Sequence, residues 1–130
     1  MKKSNIYLLL FVFGFLLNAC TYDFIAEAPA ETVVPVDSTV AISFSTQIAP
    51  IFTNKCVSCH ETGGQSPDLT AANAYKSLTS MNLVNTATPA SSLIYNYPNP
   101  ANTSVHTWKK FSTSEAQLVL TWIQQGAKNN

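Results

Sequence analysis

Charge is scarce in this 130-residue chain: seven basic and seven acidic side chains cancel, and charged residues make up only 11%. A neutral total gives no reason to expect nucleic acid or a strongly acidic partner. The carboxylates are few and scattered, and no catalytic acid–base pair or nucleophile constellation is visible, so substrate turnover is not indicated. Cysteine is limited to Cys20, Cys56 and Cys59, and histidine to His60 and His106. A structural zinc site needs four ligands, normally including a second Cys/His pair, and the chain has none to offer. No strand-rich pattern surrounds Cys56 and Cys59, which argues against a thioredoxin-type redox pair. A disulfide between these two would leave His60 without a role. No internal repeat is visible, and the length leaves room for one modest domain.

The chain also lacks an apolar run long enough for a stable transmembrane helix. Ile6 to Leu17, broken only by Gly14, is too short and badly flanked. Behind Lys2 and Lys3 it suits a secretory signal. Its end, Leu17-Asn18-Ala19-Cys20, resembles the bacterial lipobox, so residues 1–19 are expected to be a lipoprotein signal peptide and Cys20 a lipidated residue. The alternative is a plain signal peptide cleaved after Ala19. A lone free thiol in an exported chain is a liability. Acyl chains on Cys20, at about 0.8 kcal/mol per buried CH2, would hold the protein on a membrane. The expected location is therefore exported and lipid-anchored, facing the periplasm or cell surface. Residues 20–42 contain Pro29, Pro35, spaced acidic residues and short Val/Ala patches, and read as a flexible linker. An arm packed on the domain, from Val33-Val34 or Val40-Ala41-Ile42, is the other reading.

The domain is expected over 43–130, mildly basic from Phe44 onward. Phe44, Ile48, Ile51 and Phe52 share one helical face, with Pro50 breaking, kinking or starting the helix. Thr70 to Leu78 reads as a second helix and Ser92 to Tyr95 as one further turn. Pro89, Pro98 and Pro100 mark residues 80 to 111 as mostly loop. Ser112-Thr-Ser-Glu115 is a capping box, Ala116, Val119, Leu120, Trp122 and Ile123 form a buried stripe, and Gly126 ends the last helix. The fold class is all-α with long loops.

Cys56-Val-Ser-Cys59-His60 is the attachment signature for one covalent haem c. Two thiols three positions apart on a helical turn can meet the two vinyl groups at one haem edge. The adjacent imidazole then stands beneath the ring, where it can bind iron. A domain with so much loop has a small core of its own, and a haem would add to its interior.

From Phe44 onward the chain resembles the single-haem cytochrome c domains of bacterial lipoproteins, including the planctomycete-type cytochrome c group. The matching stretches are Phe44-Ser-Thr-Gln-Ile-Ala-Pro-Ile-Phe52, Cys56-Val-Ser-Cys-His60, Ser91-Ser-Leu-Ile-Tyr95, Phe111-Ser-Thr-Ser-Glu115 and Trp122-Ile-Gln-Gln-Gly-Ala127. The resemblance implies a small cytochrome c-like fold whose first and last helices pack across each other beside the haem. It also implies a distal Met in a Met-Pro pair before the final helix. Here Ser104-Val-His106-Thr-Trp-Lys-Lys-Phe111 stands in that place, without Met. His106 is thus the preferred distal ligand by position, Met81 the alternative, and an open sixth position the third case. Trp108 and Trp122 are expected to line the haem pocket or the core. Lys109 and Lys110 are expected to pair with a propionate, to form a docking patch or to stay solvated. The function implied is electron transfer between redox partner proteins. A haem enzyme or gas sensor with an open sixth position, and an accessory subunit of a larger membrane complex, are the rivals.

Overall fold

Ser43 opens the first helical segment because its extended backbone leaves its hydroxyl free to accept from the Thr46 amide. Phe44–Ile48 follows as a π-helical turn, and α1, Ala49–Lys55, continues from it. Pro50 lies in the first turn of α1, where its missing N–H removes no helical bond. These elements belong to a computed structural model that describes residues 36–130. The expected signal peptide, lipidated Cys20 and linker as far as residue 35 lie outside the described residues. Within them no helix is long and apolar enough to cross a membrane.

The remaining elements are α2, Ala74–Ser80, a 3₁₀ turn at Pro89–Ser91, α3, Leu93–Asn96, and α4, Thr113–Gln124. The described residues form helices, turns and loops and contain no strand, so the domain is all-α. Helix α2 starts later than the apolar spacing predicts. The Asp68 carboxylate accepts from both the amide and hydroxyl of Thr70, and this local turn takes up the chain that would otherwise begin the helix. At the far end of α2, Asn82 adopts φ +52, and Leu83 N–H donates to Leu78 O at 2.9 Å. The same Schellman arrangement ends α4, with Gly126 at φ +94 and Ala127 N–H on Trp122 O at 2.9 Å.

The core joins the π turn, α1, α2 and α4. Phe52, Ile48, Leu78, Val119 and Ile123 are fully buried in it, with Trp122 nearly so. Phe44 stands at the centre, its ring 5.3 Å from Trp122 and 5.2 Å from Tyr75. The phenol of Tyr75 donates to Ala127 O, so it serves the packing of the C-terminal segment. The capping box predicted for α4 is present in both directions, Ser112 Oγ accepting from Glu115 N–H and Glu115 Oε2 accepting from Ser112 N–H.

Residues 36–42, the end of the segment read as linker, lie on the domain as an arm. Ile42 is buried, and Val36 packs against the core. The Gln125 amide holds this arm at three backbone groups, accepting from Ile42 N–H and donating to Ser38 O and Val40 O. A backbone without regular structure gains partners this way. The ordered domain therefore starts before Phe44.

Candidate haem-binding site

The Cys56–His60 segment folds as a tight turn on the end of α1. Cys56 N–H closes the helix on Phe52 O, and the Cys59 and His60 amides both donate back to Cys56 O at 3.1 and 2.9 Å. Cys56 is buried and Cys59 exposed, and the two thiols are free rather than joined. Burial pushes the Cys56 thiol up to about 11, with the Glu115 carboxylate adding in the same direction and Lys109 and Lys55 opposing. The thiol is therefore neutral near pH 7. Glu115 is also ion-paired to Lys55 at 2.9 Å, which ties the end of α1 to the start of α4 beside this cysteine.

His60 is held by the loop that follows it. Its Nδ1 lies 3.1 Å from both Gln65 O and Pro67 O. Carbonyls only accept, so Nδ1 carries the proton, and in the neutral ring Nε2 is the nitrogen with the lone pair. The loop is pinned in turn by Gln65 N–H on Cys59 O and Leu69 N–H on His60 O. Asp68 is its hub. Thr70, Thr62 and Asn73 all donate to the Asp68 carboxylate, and these bonds, those from Thr70 foremost, hold its pKa far below the usual carboxylate range. Gly64 makes the loop's closest approach, since a Cβ there would stand 2.8 Å from Cys59 O.

Across from this turn lies a cleft of about 610 Å³, within the span of roughly 300–1,000 Å³ common to ligand and cofactor sites. Cys56, Cys59, His60, His106 and Met81 all border it. The candidate ligands at 81 and 106, far apart in sequence, are thus brought to the same cavity as the Cys-His turn. Its walls are largely apolar. Met81, Leu93, Tyr97, Val105 and Trp108 are five of the six large hydrophobic residues exposed among the described residues, and every one of them lines this cleft. An apolar patch gathered in one concave place marks a binding site rather than random surface.

His106 faces His60. Their rings are 20° from parallel with centroids 6.0 Å apart. His106 Nδ1 is 2.8 Å from Lys109 O, so here too Nδ1 is the nitrogen that carries the bonded proton. The loop bearing His106 is gathered by Lys110, whose ammonium donates to the carbonyls of Tyr97, Asn102 and Val105. Lys110 is therefore engaged with backbone rather than solvated.

Among the described residues no three His, Cys, Asp or Glu side chains converge as a chelating group for a bare ion. The donors are instead spread around one apolar cavity. A large flat apolar group that carries its own metal fits this distribution, because it fills the cleft while thiols and imidazoles meet it at separate points. Asp68 and Gly64 were not assigned site-building roles by sequence reasoning, and Lys110, expected to meet a propionate, a docking partner or solvent, instead serves three backbone carbonyls. An Asp followed by Thr two residues on is a local turn signal that could have flagged Asp68. A search against known families, curated proteins and solved structures finds no match to this chain, so the family resemblance rests on the chain's own motifs.

Proposed function

We propose that this chain is a membrane-tethered, single-haem c-type cytochrome that carries electrons between redox partner proteins. One observation supports the reading above all others: the Cys56–His60 turn and His106 border one apolar cleft, with the two imidazoles facing each other at 6.0 Å. When bound, the haem supplies a single-electron Fe(II)/Fe(III) couple.

The protein's own residues account for the rest. Cys56 and Cys59 would hold the porphyrin edge through thioethers, and His60 the iron from one side. The carbonyls of Gln65 and Pro67 fix the His60 tautomer and ring orientation and increase its basicity as a ligand. His106 would take the opposite side, and two imidazoles favour a lower potential than an imidazole–thioether pair. Leu69, Leu83 and Ile94 give the cleft an apolar wall, which would lower the dielectric around a bound haem.

The test is expression of the full chain in a host with cytochrome c maturation, followed by mass determination, a pyridine haemochrome and a redox titration. The expected result is a polypeptide heavier by one haem, a c-type haemochrome and one reversible one-electron wave. A colourless chain without that added mass, from a host that matures other c-type cytochromes, overturns the proposal.

A further inference from the structure

We propose that Trp108 and Lys110 are positioning residues that hold the His106 imidazole on the iron as second axial ligand, an inference that rests on the haem reading above. His106 sits at φ +55, a left-handed conformation uncommon outside glycine, though histidine is among the residues that adopt it more readily. Such backbone persists where the surroundings over-determine it. The surroundings here are three contacts. Lys110 spends its three donors on three carbonyls, Tyr97 O at 2.9 Å, Asn102 O at 2.6 Å and Val105 O at 2.6 Å, and so draws the loop together just before His106. Lys109 O takes the Nδ1 proton at 2.8 Å, which sets the rotation of the ring. Trp108 covers the imidazole, its ring 5.3 Å away and 21° from parallel.

Trp108 is 72% exposed, the most exposed large hydrophobic residue described, so it contributes little to the core. Its indole is nonetheless laid on the one imidazole that opposes His60. The chain thus leaves one of its two indoles in water at the point where it restrains a ligand ring. Removing the indole lets that ring turn away, and removing the Lys110 ammonium lets the loop open.

The experiment uses the holoprotein with haem attached, as wild type and as Trp108→Leu, Trp108→Phe, Lys110→Met and His106→Ala. The readouts are the ferric spin state, by absorption and electron paramagnetic resonance, and the rate of CO association with the reduced protein. An aromatic contact of this kind corresponds to a shift of roughly two- to tenfold in an equilibrium. Trp108→Leu is expected to raise the CO association rate by that factor, with Trp108→Phe returning most of the way to wild type. Lys110→Met is expected to raise it further, and His106→Ala to give high-spin iron outright. The thermal midpoint of Trp108→Leu should stay near wild type. Unchanged CO rates in Trp108→Leu and Lys110→Met, alongside a high-spin His106→Ala, overturn the positioning role. So does a lower thermal midpoint in Trp108→Leu without faster CO binding, which is what a merely structural residue would show. A low-spin His106→Ala overturns it while leaving the haem reading intact, whereas a wild-type chain that carries no haem removes the haem reading itself.

Discussion

The imidazoles of His60 and His106 lie 20° from parallel with their centroids 6.0 Å apart, each with Nδ1 turned onto a backbone carbonyl. Both rings therefore use Nδ1 for these hydrogen bonds and leave Nε2 outside them. His60 is positioned by a short loop beside it, whereas His106 reaches the same place from a loop between α3 and α4. Met81 borders the cleft as well but is 46% exposed at the C-terminal cap of α2.

The two candidate ligands predict different spectra. Substituting His106 by Ala in the haem-loaded protein is expected to abolish the low-spin ferric spectrum. Met81→Ala is expected to preserve it, because a flexible thioether at the rim fills space rather than coordinates. Loss of low-spin character in the Met81 variant alone would reverse the assignment.

Gly64→Ala is expected to destabilise the domain by about 1–3 kcal/mol, the range for forcing an extra carbon into a packed site. The new Cβ meets the Cys59 carbonyl at 2.8 Å, and a backbone atom cannot swing aside. Gly63→Ala tests a different cause. Space is open there, but φ is +81, so a cost of about 1–2 kcal/mol comes from backbone strain. Urea unfolding of both variants measures the costs. Only Gly64→Ala is expected also to lower the yield of haem attachment, since only it presses on the Cys-His turn.

Asp68 makes the His60 loop sensitive to acid. Its folded pKa lies below its unfolded value, chiefly because Thr70 and Thr62 donate to the ionised carboxylate. Its stabilising effect is thus complete above the unfolded value, about 3.9, and is lost as pH falls towards the folded one. Asp68→Asn is expected to lower stability at pH 7 and to flatten the fall in stability below about pH 4. Asp37, lowered by its bonds to Thr39, has the same sign, so a smaller acid dependence remains. Thermal midpoints measured from pH 7 to pH 3 check the difference between the two proteins.

Ser112→Ala removes the hydroxyl half of the capping box and is expected to cost about 0.5–2 kcal/mol. The Lys55–Glu115 pair beside it is partly exposed, with side chains at 33% and 25%, so its own coupling should be below about 1 kcal/mol. A double-mutant cycle with Lys55→Met and Glu115→Gln isolates that coupling. A much larger value would mean that burial next to Cys56 strengthens the pair.

What near neighbours decide could be read from the chain before it folds. The Cys56–His60 turn, the capping box at Ser112, the helical face of Phe44, Ile48, Ile51 and Phe52 and the glycine stop at 126 all rest on bonds or spacings within a few residues. A pattern in the chain is enough to specify them. The delayed start of α2 shows the limit, because Asp68 competes for the Thr70 backbone through a side chain that hydrophobic spacing does not register. The fold, and not the local pattern, set how residues 36–42 dock through Gln125 and how Lys110 serves three carbonyls, whereas the place of His106 before the last helix had already marked it ahead of Met81. Loop paths of this kind follow from many weak long-range contacts acting together, and the identity of one residue carries almost none of that information.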